Sequence, residues 1–293
     1  MSIHMDQPGL IIRQEPQIYE PRLVLGFSGW MDGGDVATGT VGYLVRKLDA
    51  RPFAEISPEG FYIYNMPGMM DVAALFRPHV RIAGGLIEFL GLPTNTFYFH
   101  AGQRLILFVG REPNLQWETF AGLVFQLCQR YSVRRIYTVG SVSSLVPHSR
   151  EPRLLCTVSS QSLKDLMHQF GVRFTEYEGP ASIVTYLAHM APRHGLECIN
   201  LIATIPAYVQ GSNPRCIEAM TRRLTAMLQL DLDLSELRAI ADEFERRVGE
   251  LVQQQPELAE KISKLEADYD NEVFESELGD LKQWLQEKGI RLD

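Results

Sequence analysis

Cysteine is scarce and scattered: Cys128, Cys156, Cys198 and Cys216 are the four in 293 residues, with no C-x-x-C and no histidine beside them at ligand spacing. That removes the usual sequence grounds for a zinc site or a disulfide framework and leaves small thiols for burial. The seven histidines are dispersed, without H-x-x-x-H or H-E-x-x-H, so no metal site is expected. No charged leader precedes an apolar stretch, and no apolar run approaches the ~20 residues that span a bilayer; a cytoplasmic location away from membranes is expected. A basic face is missing too. Asp and Glu outnumber Lys and Arg by 36 to 28, a net charge of −8. Non-specific nucleic-acid binding needs the opposite balance, so no nucleic-acid partner is expected. Arg222, Arg223, Arg246 and Arg247 stand in helical patterns among acidic neighbours and read as solvated helix surface. There is no internal repeat and no low-complexity tract.

Hydrophobic residues make up 45% of the chain and charged residues 22%, an ordinary globular balance. The organising stretch is 22–48. Residues 22–27 read as a buried strand and 28–34 as a loop with Gly29, Gly33, Gly34, Trp30 and Asp32. From Asp35 the apolar spacing turns helical through Val36, Val41, Leu44 and Leu48. A strand, a Gly-rich turn and a helix open a βα unit, where ligands gather in open α/β sheets.

Further along, residues 10–12 suit an edge strand after an N-terminal arm, 51–60 a linker with Pro52 and Pro58, and 61–64 an aromatic strand. Residues 66–77 carry Met69, Met70, Val72, Leu75 and Phe76. They suit either a sticky binding surface or packing in the core and loops, and packing is the reading the sequence favours. Residues 80–89 and 96–100 read as strands of a hairpin-like insertion, broken at Gly84, Gly85, Gly91 and Pro93. Strands are then expected at 104–109, 135–139, 154–158, 172–174 and 197–205. Helices are expected at 115–131 with Asn114 as cap, at 160–170 ending on Gly171, from Ser182 to about 190, and at 214–228. Such an alternation predicts a three-layer α/β/α fold with a mostly parallel central sheet. The core is expected to span 1–230, and acidic helical patterns at 232–252, 256–269 and 276–288 form a C-terminal helical extension, 231–293.

Candidate site residues come from the loops that such a sheet brings to one edge: Trp30, Asp32, Gly33, Asp35, Glu112, His148, Arg150 and Glu178. The Gly-rich turn tempts a phosphate reading. It has neither G-x-G-x-x-G nor G-x-x-x-x-G-K-[ST], and Asp32 with Asp35 and no nearby cation would repel an anion. A tight turn with the two aspartates capping the helix is the simpler reading. The run at 140–144 with His148 nearby is not G-x-S-x-G, and His148 suits a loop-shaping hydrogen bond better than catalysis. Helix-end electrostatics accounts equally for Glu112 and Glu178. No residue is assigned a catalytic role and no cofactor is expected.

The motifs also carry a resemblance. The run GFSGWMDGGDVATGTVGYL beginning at Gly26 resembles the G-W-x-D-x-G opening of the proteasome assembly chaperone 2 family. Ser57, Pro58 and Glu59, Phe61 and Tyr62, Arg77 and Pro78, and Gly110 to Pro113 with Trp117 follow in family order. So do Gly140 and Ser141, Pro147 to Arg150, Glu178 to Pro180, and Ile205 to Tyr208, across residues 20–240. The resemblance implies a phosphorylase/hydrolase-like α/β/α fold, homo-oligomers including trimers, and, for eukaryotic and archaeal members, work in proteasome assembly. It points to a non-catalytic interaction protein with itself and proteasome subunits as partners. The alternative is a nucleoside- or nucleotide-like binding protein, or a hydrolase or ligase, using the strand-end cleft. Some bacterial members carry an ATP-grasp label, but the phosphate-binding lysine pattern of that chemistry is missing here. Ser149 replaces a threonine of some members, and the end Ile290, Arg291, Leu292, Asp293 lacks the penultimate tyrosine by which some archaeal members dock.

Overall fold

The computed structural model describes residues 9–287, with side chains through residue 275. The first eight residues of the expected arm and the 288–293 end lie outside the described residues. In chain order the elements begin β1 (Leu10–Ile12), β2 (Arg22–Ser28), α1 (Val36–Lys47), β3 (Arg51–Ile56), α2 (Met70–Ala74), β4 (His79–Ala83) and β5 (Leu86–Gly91). Next come β6 (Thr96–His100), β7 (Leu105–Arg111), α3 (Trp117–Arg130), β8 (Arg135–Ser144), β9 (Leu154–Val158), α4 (Gln161–His168) and β10 (Arg173–Phe174). The chain continues through α5 (Ile183–Met190), β11 (Glu197–Pro206), α6 (Pro214–Met227), α7 (Ser235–Gln253) and α8 (Pro256–Glu287).

One sheet runs β1-β3-β6-β7-β2-β8-β11-β9-β10. Its centre, β7-β2-β8-β11, is parallel, and antiparallel joins at β6–β7 and β11–β9 flank it. Because side chains alternate across a strand, a sheet covered on both faces needs apolar residues at every position. β2 satisfies this: Leu23, Leu25 and Phe27 join the cluster under α3 and α5, while Val24 joins the cluster under α1 and α6. Phe108 of β7 anchors the first cluster, its ring 5.0 Å from Phe27 and 4.6 Å from Phe97. The three-layer α/β architecture expected from the alternation is therefore the one observed.

Several local expectations fail for identifiable reasons. Residues 51–56 form strand β3 rather than a linker. The register shifts between Pro52 and Ala54, a bulge that accommodates proline inside a sheet. Residues 61–64 are not a strand: the Phe61 carbonyl accepts from the amides of Asn114 and Leu115 instead of entering a ladder. Asn114 does not cap α3; its side chain accepts from the Ile63 amide at 3.1 Å, and Gln116 precedes the helix with φ +55°. The insertion is narrower than expected. β4 and β5 pair around Gly84 and Gly85, but β6 belongs to the main sheet. Residues 140–144 continue β8, because β11 pairs with it as far as Ser144. In the C-terminal region the described residues of the second and third acidic patterns are one helix, α8. Arg222 and Arg223 are half-buried on α6, not solvated, while Arg246 and Arg247 pair on the surface with Glu243.

Candidate functional site

The loops after the four parallel strands are 29–35, 112–116, 145–153 and 207–213. The first is shaped by close packing. A Cβ on Gly26 would fall 2.7 Å from the Ala37 carbonyl oxygen, so glycine lets α1 lie directly on β2. Gly34 has φ +64°, and its carbonyl accepts from the Asn213 amide at 2.8 Å, tying this loop to the one before α6.

Asp32 caps α1. One carboxylate oxygen accepts from the Thr38 amide at 3.0 Å and the other from the Thr38 hydroxyl at 2.7 Å. Burial raises its pKa, against those hydrogen bonds. Asp35, expected to cap as well, makes no capping hydrogen bond. It sits exposed at φ +54° beside an open groove of about 430 Å³ that also holds Arg46. Gly33 packs near Ile205, and its carbonyl accepts from the Ser141 hydroxyl at 2.6 Å. That hydroxyl is thereby directed at the chain rather than at His148.

Glu112 is a clamp. Its carboxylate accepts from the Trp30 amide at 3.0 Å and from the Ile183 amide at 2.8 Å, joining the first loop to the start of α5. A carboxylate at a helix start meets unpaired N–H groups and the positive end of the dipole. Trp30 itself is 65% exposed. Glu178 is exposed and has no hydrogen-bond or ion-pair partner among the described residues.

His148 and Arg150 lie apart from that group, beneath the C-terminal helices. The Tyr208 hydroxyl accepts from the His148 amide at 2.7 Å and stands 2.9 Å from Nδ1. Having accepted from the backbone, it can donate to Nδ1, which places the ring proton on Nε2. Nε2 faces Gly249 of α7, close enough that a Cβ there would come within 3.7 Å. Burial lowers the His148 pKa, and Glu245 and Glu266 act in the other direction. Ser149 donates to Glu266, and Arg150 meets Asp270 through two 2.8 Å hydrogen bonds. The enclosed space beside His148 is about 10 Å³, room for roughly one water, whereas small-molecule sites run to roughly 300–1,000 Å³.

The eight candidates thus divide. Trp30, Asp32, Gly33, Asp35 and Glu112 share one loop cluster, His148 and Arg150 a second under α7 and α8, and Glu178 stands alone. Most of their polar atoms are engaged within the chain. Sequence reasoning missed Thr38, Tyr208 and the acids of α8 as their partners. Glu266 and Asp270 at helical i, i+4 spacing was the available signal for a charged face, but nothing in the sequence said which cations it meets. Among the described residues no group of His, Cys, Asp and Glu could hold a metal ion, and no helix is long and apolar enough to cross a membrane.

Comparison with solved structures agrees with the architecture. A Mycobacterium tuberculosis protein of unknown function matches at TM-score 0.83 and 23% identity, over 96% of this chain and 95% of its own. A proteasome-assembly chaperone homologue from M. tuberculosis matches at TM-score 0.71 and 28% identity, over 82% and 99%. The Pyrococcus furiosus protein PbaB, an archaeal proteasome activator, matches at TM-score 0.61 and 21% identity, over 84% and 99%. None of the curated proteins matches in sequence. The PAC2 family model matches residues 26–252, from the glycine on which α1 packs to the end of α7. With most of its length matched in this way, the chain belongs to the PAC2 family.

Proposed function

We propose that this chain is a non-catalytic, assembly-chaperone-like interaction protein that acts as a homo-oligomer, a trimer among the arrangements the family implies, and that its partners are proteasome-related. The observation that carries this reading is the insertion formed by α2, β4 and β5. Met69 is 74% exposed, Met70 87%, Leu86 73% and Ile87 69%, and every residue of β4 is exposed. An isolated two-stranded hairpin is marginal in water, and contiguous apolar surface of this kind marks interaction sites. We assign the insertion to contact between copies of this chain. The family relationship supports the chaperone-like role, and the M. tuberculosis and P. furiosus neighbours supply the proteasome connection. The reading takes residues 1–230 as the core that carries the interaction surface and residues 231–293 as a helical arm, and it places the protein in the cytoplasm.

Light scattering coupled to size exclusion tests the proposal. The wild type is expected as an oligomer and Leu86→Glu/Ile87→Glu as a monomer with unchanged secondary structure. A monomeric wild type, or a double variant of unaltered mass, would overturn the self-association. Capture with purified proteasome α subunits tests the partner separately, and absence of binding by the intact oligomer would count against it.

A further inference from the structure

The C-terminal helix α8 carries a thin apolar seam, with Leu258, Leu265, Tyr269 and Val273 half-buried, and many charged contacts to the core. Ile262 is its one buried side chain among those described. Beyond it, Glu266 meets Ser149, Asp270 meets Arg150, and Glu272 meets Arg153 at 3.0 Å and Arg173 at 2.9 Å. Tyr269 donates to the Glu151 carbonyl at 2.7 Å, and the Arg153 guanidinium lies 4.7 Å from its ring centroid. Such partly exposed ion pairs are weak and screened by salt.

The surface beneath holds more cation than α8 satisfies. A groove of about 580 Å³ runs beside the helix, lined by Arg150, Arg153, Arg173 and Arg223 together with Asp270 of α8 and Glu151, which is already paired with Arg215 and Arg222. Arg223 has no hydrogen-bond or ion-pair partner among the described residues, and Nη2 of Arg153 is buried without an acceptor. Phe274 stands 64% exposed at the rim. Four arginines gather here in a chain of net charge −8, and the acids of α8 pair three of them, leaving Arg223 over.

We propose that α8 is a displaceable strap that occupies, in cis, a docking groove for an acidic, aromatic-bearing helix of a protein partner. The occupant chemistry is read from α8. Carboxylates at i, i+4 and i+6 with a tyrosine at i+3 engage three of the four arginines, and a partner helix with one more acid reaches Arg223. This face is separate from the β4–β5 insertion, so the inference does not depend on self-association there.

The test uses full-length protein and a labelled synthetic peptide of residues 256–275. In Glu266→Gln/Asp270→Asn/Glu272→Gln, and in the wild type at about 0.5 M salt, amides of 262–275 are expected to lose hydrogen-exchange protection while those of β7 keep theirs. At low salt the peptide is expected to bind the triple variant about tenfold or more tighter than the wild type, because the resident strap lowers apparent affinity by the fraction of open groove. Adding Arg153→Ala/Arg173→Ala to the triple variant is expected to abolish binding. Unchanged protection of α8, or peptide binding to neither protein, would overturn the proposal. Displacement of the peptide by an equal concentration of inorganic phosphate would reduce the groove to a simple anion site. Binding of the triple variant to wild-type protein, whose own α8 keeps its carboxylates, in competition with the peptide would replace the partner helix with α8 of a second copy.

Discussion

His148 shows how burial sets the behaviour of a single residue in this fold. Its ring contacts Tyr208 on one side and Gly249 on the other, with the carboxylates of Glu245 on α7 and Glu266 on α8 nearby. Burial holds its pKa below the ordinary 6.5. Folding therefore favours the neutral ring, and the unfolded chain binds more protons between the two pKa values. Its contribution is complete above 6.5 and is lost as pH falls below that value through the folded pKa. Thermal melts across that window are expected to show a falling Tm for the wild type and a flatter profile for His148→Gln. Glu112 gives a second residue-scale prediction. Glu112→Ala leaves the Trp30 and Ile183 amides without their acceptor and is expected to cost about 2 kcal/mol in urea unfolding, the range for hydrogen bonds to a charged group. The loop-shaping role of His148 was legible in the sequence; Tyr208 as its partner, sixty residues away in sequence, was not.

At the scale of elements, the β2–turn–α1 unit was readable because its signals are local: an apolar strand, glycines in the turn, then helical spacing. Gly26 is the tightest point of that unit. Gly26→Ala sets a Cβ against the backbone of Ala37 and the side chain of Val41, and is expected to destabilise the fold by about 3 kcal/mol or to prevent soluble expression. The insertion was misread for a physical reason. Apolar spacing reports that side chains need cover, not which surface supplies it. The methionines of residues 66–70 were expected to pack inside the chain, yet Met66, Met69 and Met70 are exposed. Because Leu86 and Ile87 are exposed, Leu86→Glu/Ile87→Glu is expected to change the unfolding free energy of the isolated protomer by no more than about 0.5 kcal/mol, read by denaturant titration.

The whole molecule brings the ends of four parallel strands together, but the groups there bind one another. With about 10 Å³ of room beside His148 and only an open surface groove beside Asp35, a panel of uncharged nucleosides is expected to leave Tm unchanged in a thermal-shift screen. A reproducible stabilisation, lost in Asp32→Ala or His148→Ala, would restore the ligand-binding alternative.

Composition and periodicity alone determined the α/β class, most core strands and the acidic helical end, because these follow from local apolar pattern and turn residues. The order and spacing of short motifs such as Gly29 to Gly34 and Pro147 to Arg150 determined the family resemblance. Tertiary structure decided the rest. It placed Glu112 across two loops, and α8 over Arg150 and Arg153. Each of these contacts joins residues whose separation in sequence, or whose choice among many equivalent charges, leaves no periodic trace. Whether a polar group is free for chemistry depends on which neighbour takes its hydrogen bonds, and that neighbour is fixed by packing rather than by position in the chain.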